Sequence, residues 1–269
     1  QGDWSSDVCS SDLVIAQKVC SRIYDGISTT QLDEITAELC ITLALRSIDY
    51  RTLASRIVID NHQKNTFECI LKVTELLESN KDKLGHNSPL LNENYIKIVK
   101  ENYQHFNNFL DFNRDFNIDY FGFKTLQKAY LFKTSDNTII ERPQHMWLRV
   151  AISIHGNNLQ KVQETYNYMS TGYFTHATPT IFHAGTNHQQ LSSCFLLGTD
   201  DSVGGIFDNI SACAHISKWA GGIGLHVSNI RSKGAYIRST AGSSNGILDM
   251  LRVYNDVVRY RSEEHTSEL

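Results

Sequence analysis

No run of about 18 apolar residues occurs in the 269-residue chain, so no membrane-spanning helix is expected. The first residues lack the basic and apolar segments of a secretory signal. The six cysteines stand apart at positions 9, 20, 40, 69, 194 and 213, with no Cys-x-x-Cys pair and no Cys/His metal spacing. Neither a metal site nor a disulfide framework is expected, and the scattered thiols fit a reducing, cytoplasmic setting. Basic residues are not in excess. The 25 Lys and Arg face 29 Asp and Glu, for a net charge of −4. That excludes a broad nucleic-acid surface, yet a few placed cations suffice to hold a small phosphorylated ligand. Internal repeats and low-complexity tracts are also missing.

What is present is an ordinary globular composition, 41% hydrophobic and 20% charged, in a chain long enough to bury a core. Most of the thiols are expected as small buried hydrophobes. Two stretches stand outside the pattern. Residues 1–13 and 261–269 are polar with no helical or strand period. They resemble translated sequencing-library adapter rather than gene, so Cys9 is not expected to be a natural cysteine and the natural protein is expected to continue at both ends. Natural unstructured tails are the alternative.

Residues 14–79 carry helical periodicity. Val14, Ile15, Val19 and Ile23 form one stripe, which Asp25-Gly26 breaks. Thr30 and Asp33 predict an approximate capping box ahead of Leu32, Ile35, Leu39 and Leu43. Further stripes run through Leu53, Ile57 and Ile59, and through Phe67, Ile70, Leu71, Val73, Leu76 and Leu77. Ser79–Pro89 reads as a linker. Tyr95, Ile98 and Val99 suggest a helix, Asn117–Phe123 an extended or turn segment, and Phe123–Tyr130 a short helix. Asp136-Asn137 marks a hairpin turn. Pro143 precedes two amphipathic stretches, Met146–Ile154 and Val162–Met169.

After residue 174 the texture changes to dense Gly, Ser and Thr between short apolar runs. Cys194–Leu197 and Leu225–Ile230 read as buried strands, with a helix at Ser202–Trp219 between them and another at Gly246–Tyr260. This strand–helix–strand order predicts an α/β layout. The run Ala220-Gly221-Gly222-Ile223-Gly224 is not a dinucleotide fingerprint, because here a helix precedes the glycines and a strand follows. Two readings stay open: a helix stop with glycine at positive φ, or close approach of a ligand to the strand entrance.

Several segments then resemble the large subunit of ribonucleotide reductase. They are Phe174-Thr-His-Ala-Thr-Pro-Thr-Ile-Phe-His-Ala-Gly-Thr-Asn187, Gln190-Leu-Ser-Ser-Cys-Phe-Leu-Leu197, Ile216-Ser-Lys-Trp-Ala-Gly-Gly-Ile-Gly224, and Asn245-Gly246 leading to Met250-Leu-Arg-Val-Tyr-Asn255. Upstream, Asn117-Ile-Asp-Tyr-Phe-Gly-Phe-Lys124 and Glu141-Arg-Pro-Gln-His-Met146 resemble the helical region before that enzyme's barrel. The resemblance runs from about 14 to 260. It implies an α+β chain: a partial ATP-cone over 14–78, a helical domain over 79–173, and over 174–260 the first strands and helices of an incomplete ten-stranded α/β barrel.

The family reduces ribonucleoside diphosphates by thiyl-radical and dithiol chemistry under allosteric control, and the resemblance extends that function to this chain. Cys194 matches one of two cysteines on adjacent strands that supply the electrons. Taken alone, it reads as a buried strand cysteine. Thr178, Ser193, Gly221 and Gly222 match substrate contacts. Asp201, Ser202, Lys218 and Arg231 match the specificity site for a deoxynucleoside triphosphate. Their plainer readings are an N-cap for Asp201, a helix-end charge for Lys218 and a loop charge for Arg231. Thr29, Asp33 and Lys64 match the overall activity site, with helix capping as the alternative for Thr29 and Asp33. Lys233 and Arg238 are possible added charges, and Cys213 reads as packing.

The resemblance also implies ATP and dNTP effectors with Mg, a radical supplied by the metal cofactor of a small partner subunit, thioredoxin or glutaredoxin as reductant, and a homodimer. No covalently bound cofactor is expected. The radical cysteine and the second redox cysteine are expected beyond residue 260, so this chain alone is expected to be inactive. Competing readings are a glycyl-radical or B12-dependent relative, and a dNTP-binding regulatory module without catalysis.

Overall fold

The computed structural model describes residues 13–238 and 240–267. The chain divides into two compact units, Gln1–Thr175 with Gly185–Asn187, and His176–Ala184 with His188–Leu269. The tail at 1–13 therefore falls almost wholly outside the described residues. None of the helices among them is long and apolar enough to cross a membrane, and no cluster of His, Cys, Asp and Glu there could hold a metal ion.

The first unit is helical. α1 covers 13–20; α2 is Thr29–Thr42, α3 Ile48–Lys64, α4 Ile70–Glu78 and α5 Glu93–Phe109. A 3₁₀ turn at Phe112–Asn117 leads to α6, Tyr120–Thr125, which continues as a π turn at Leu126–Tyr130. α7 is Pro143–His155 and α8 Leu159–Ser170. The capping box lies two residues earlier than the sequence suggests. The N-cap of α2 is Ser28, whose hydroxyl accepts from the Gln31 backbone while the Gln31 side chain returns to the Ser28 backbone. The segment expected to be extended at 117–123 is mostly helical, because Asp119 caps α6 by accepting from Gly122 N–H at 2.8 Å. The linker at 79–89 is an ordered loop with a bridge between Lys81 and Asn87. The hairpin turn stands at Asn137, with φ of 65°.

One apolar cluster joins the first three helices to α6. Ile15, Ala37, Cys40, Leu43, Ala54, Val58 and Ile59 pack with Tyr120 and Phe123. Beside it runs a buried polar network. Arg149 is wholly buried and donates to Glu141 through Nε at 2.6 Å and Nη2 at 3.0 Å. The guanidinium also lies 3.7 Å from the Phe132 ring centroid. Each polar residue of Glu141–His145 is engaged. Arg142 donates to the Gln63 and Thr66 carbonyls, Gln144 bridges Asp115 and Tyr166, and His145 Nε2 meets the Glu68 carbonyl at 2.9 Å.

Both buried imidazoles make one donor and one acceptor contact. His145 Nδ1 accepts from the Arg142 backbone N–H while Nε2 donates to a carbonyl. His62 donates through Nε2 to the Glu141 carbonyl and accepts at Nδ1 from Gln127. Only neutral imidazole satisfies that pattern. Burial, chiefly, pushes His62 down to about 4 and His145 to about 3. Burial also raises the Asp115 carboxyl to about 6 against the bonds it accepts from Gln144 and Gln63.

The second unit opens with the short α9, Thr178–His183, then β1, Cys194–Gly198; α10, Val203–Lys218; β2, Gly222–His226; β3, Tyr236–Ile237; β4, Gly242–Ser243; and α11, Ile247–Ser267. β1 and β2 are parallel and joined through α10; β3 and β4 are antiparallel. Among the described residues these two pairs form no closed barrel. β2 begins three residues earlier than the sequence suggests, because Gly222–Gly224 adopt strand rather than turn geometry. Neither strand is buried on both faces, since exposure alternates along each. Phe195, Leu197, Ile223 and Leu225 point inward, where Leu197, Ile223 and Leu225 pack with Ile210, Cys213, Met250 and Tyr254. α11 runs on through Ser267, seven residues past the expected end, since 261–267 contains neither Gly nor Pro to stop it.

Removing one member of the buried ion pair leaves the other charged and unsolvated. Arg149→Ala is expected to cost about 3–5 kcal/mol in urea unfolding. Arg149→Met combined with Glu141→Gln, which removes both charges, is expected to recover part of that loss. If the double variant is no better than the single, the pair does not behave as a buried ion pair.

The histidines set a second expectation. Unfolded imidazoles take up protons below about 6.5, whereas the folded ones stay neutral to about 4 and about 3. Stability is therefore lost as pH falls through that window. Asp115 acts in the opposite sense below about 6, but it is one group against two. The melting temperature should fall from pH 7 to pH 5, and neither histidine should titrate by NMR over that range.

Candidate functional site

The exposed face of the β1–β2 ribbon carries Cys194, Leu196 and Gly198 from one strand and Gly222, Gly224 and His226 from the other. The register sets Cys194 directly across from Gly222. Gly222 N–H donates to the Ser193 carbonyl at 2.8 Å. A Cβ on Gly222 would stand 3.9 Å from the Cys194 sulfur and 3.3 Å from that carbonyl. The Ser193 hydroxyl donates to the sulfur at 3.6 Å. A thiol thus stands beside bare backbone on an accessible surface, rather than in a packed interior. The other thiol of this unit, Cys213, is buried beneath the opposite face, and burial pushes its pKa up.

The glycines have a steric cause different from a helix stop at positive φ. α10 ends in a Schellman arrangement: Ala220 N–H donates to Ser217 O and Gly221 N–H to Ile216 O. The left-handed residue is Ala220, with φ of 58°. Gly221 is required by close approach. A Cβ there would lie 2.6 Å from Ile216 Cγ2, 2.9 Å from the Phe195 ring and 3.2 Å from a backbone oxygen.

Thr178 opens α9. Two residues on, Thr180 Oγ1 donates to the Leu191 carbonyl at 3.0 Å, tying that helix to the segment that enters β1. The sequence reading missed two residues near this entrance. His188 stacks on Trp219 with centroids 3.6 Å apart, and Trp219 is the C-cap of α10. No periodicity or motif flags such a pair, because one ring lies in a loop and the other at a helix end.

Of the four residues matched to a specificity site, three lie together. Ser202 is the N-cap of α10, accepting from Gly205 N–H at 3.0 Å, so the cap is not Asp201. Asp201 instead holds Arg231, whose Nε donates to the carboxylate at 2.7 Å and Nη2 to the Asp201 carbonyl at 3.3 Å. Lys218 is at the other end of the 16-residue helix, roughly 24 Å away at about 1.5 Å per residue. Its ammonium lies 5.1 Å from the Trp219 ring centroid. In the first unit, Thr29 and Asp33 fall one turn apart on α2. Lys64 pairs with Asp60 at 2.5 Å, and that bond, with Asp33 contributing behind it, raises the lysine's pKa.

Residues 116–189 match the family described as ribonucleotide reductase, all-alpha domain, and residues 192–266 the family described as ribonucleotide reductase, barrel domain. The chain is similar to the ribonucleoside-diphosphate reductase large subunit of Arabidopsis thaliana, 47% identical over 95% of this chain and 31% of that protein. The large chain 2 of Saccharomyces cerevisiae is 46% identical over 91% of this chain and 28% of its own length. The Variola virus large subunit is 48% identical over 91% and 32%. The chain therefore spans about a third of the length of the curated relatives it matches.

The turn before Gly222 gives a paired expectation. Ala220→Gly relieves a left-handed alanine and should raise stability by about 0.5–1 kcal/mol. Gly221→Ala forces Ile216 and Phe195 apart and should cost about 1–3 kcal/mol. Equal melting temperatures for the two variants would contradict this geometry.

Proposed function

Because the chain belongs to the ribonucleotide reductase large-subunit family, we propose that the whole protein reduces ribonucleoside diphosphates to deoxyribonucleoside diphosphates, with Cys194 as one of two reducing thiols. The observation that carries this reading is the exposed thiol in register with the Gly222 backbone. In balance, two thiols and the ribonucleotide give a disulfide, the deoxyribonucleotide and water. The 2′-oxygen leaves as water and the thiols are oxidised. Thiyl-radical initiation by a small metal-bearing subunit and re-reduction by thioredoxin or glutaredoxin complete the cycle. On this reading the substrate lies along Gly221 and Gly222, with hydroxyl donors from Thr178 and Ser193. Similarity to ribonucleoside-diphosphate reductases favours the diphosphate substrate over the glycyl-radical and B12-dependent alternatives.

The specificity effector, a dNTP with Mg, would be met by Asp201, Ser202 and Arg231. Lys218 would join them only from a second copy, which agrees with a homodimer. Thr29, Asp33 and Lys64 would meet ATP or dATP at an activity site. The cytoplasm is the proposed compartment. Residues 1–269 alone are proposed to be inactive, since Cys213 lies buried beneath the face opposite Cys194.

The test is Cys194→Ser in the complete gene, assayed with a matched small subunit. Dithiol-driven deoxynucleotide formation is expected to disappear while dNTP effector binding persists. Retained turnover in the Ser variant would overturn the reading.

A further inference from the structure

β1 and β2 are neighbours in the sheet but are separated in sequence by the whole of α10, with no hairpin to fix how their entrances meet. Gly222 N–H reaches the Ser193 carbonyl, and Thr180 braces the approach at Leu191. The turn into β2 also holds Ala220 in a left-handed conformation that disfavours alanine. Besides the packing of Gly221 on Phe195, a stacked aromatic pair also ties that turn to the segment entering β1.

We propose that the stacked pair His188 and Trp219 is the positioning clamp that keeps the Cys194 thiol aligned with the Gly222 backbone. The inference rests on the reductase reading of that thiol. The rings lie almost parallel, 19° apart, with centroids 3.6 Å apart. His188 begins the tight loop that leads to Ser193: Gln190 N–H donates to its carbonyl, and the Gln190 side chain donates to the Ser192 carbonyl. Trp219 immediately precedes Ala220 and Gly221. Thus one aromatic face ties the residues before Cys194 to those before Gly222. Two further contacts hold the indole in place. His183 meets it edge-on at 5.8 Å, and the Lys218 ammonium lies 5.1 Å from its centroid. The clamp touches no reacting atom. It acts by fixing where the thiol and the glycine backbone meet, a geometry to which rate is far more sensitive than affinity.

Two measurements test it. In the 269-residue chain, the His188 ring protons are expected upfield by ring current, and Trp219→Leu should abolish that shift. In the complete reductase with its small subunit, His188→Ala and Trp219→Leu are each expected to lower kcat about tenfold with KM for the diphosphate nearly unchanged. Trp219→Phe, which retains a stacking face, should restore most of it. An absent ring-current shift, an unchanged kcat, or a failure of Phe to rescue would each overturn the clamp. None of these results bears on Cys194→Ser, whose retained activity would instead sink the reductase reading itself.

Discussion

The helical unit depends on a carboxylate that cannot be left alone. Glu141 and Arg149 are both buried, so each charge is tolerable only because the other satisfies it. The Glu141 side chain also accepts the Phe132 backbone N–H at 2.9 Å, and its carbonyl meets His62 of α3. One residue therefore joins the 131–141 hairpin, the start of α7 and the end of α3. Replacing it would release three elements rather than one contact. The neighbouring residues extend the same logic. Arg142 completes the carbonyls of Gln63 and Thr66 at the end of α3, and Gln144 occupies Asp115, whose other oxygen takes Gln63.

In the second unit the equivalent constraint is steric. The close approach of α10's last turn to Phe195 leaves no room for a side chain at Gly221. That contact brings β2 out of the helix end already aligned with β1. The consequence reaches the chemistry directly: the strand pair starts at Cys194 and Gly222, and the absence of a Cβ at 222 keeps the sulfur's surroundings open. Packing on the inner face and accessibility on the outer face arise from one alternation, Phe195 and Leu197 inward, Cys194 and Leu196 outward.

What the sequence made legible was periodic or local. The stripes along α2 to α5, the Pro143 start, the Asn137 turn and the order strand, helix, strand all follow from spacing rules that operate within a few residues. Cys194 stands out in the sequence because its neighbours form a motif. Three features resisted. The ion pair joins residues eight apart across the start of a helix, a spacing that no periodicity marks. Ala220 adopts a conformation its identity argues against, so of the two readings of the glycines beside it, the helix stop at positive φ fails. His188 and Trp219 belong to different elements and meet only through the tertiary fold. The burial expected of β1 and β2 also failed, because an apolar run such as Phe-Leu-Leu does not reveal whether a second layer covers the outer face. Leu196, 89% exposed, shows that within the described residues none does.

The Asp201–Arg231 pair shapes what a nucleotide could find at the head of α10. Asp201 already takes Nε and Nη2 of the guanidinium, which leaves the remaining N–H groups of a five-donor fork for a phosphate. The carboxylate itself repels phosphate, so on the proposed reading it is suited to accept from a sugar hydroxyl or to hold a divalent cation between itself and the polyanion. On that reading the two charges would be complementary parts of one site, arginine toward the phosphates and aspartate toward the sugar or metal. Lys218, held against Trp219 at the far end of the helix, is removed from this division of labour within its own chain. On the proposed reading, that separation along α10 is why Lys218 would serve the site of a neighbouring copy rather than its own.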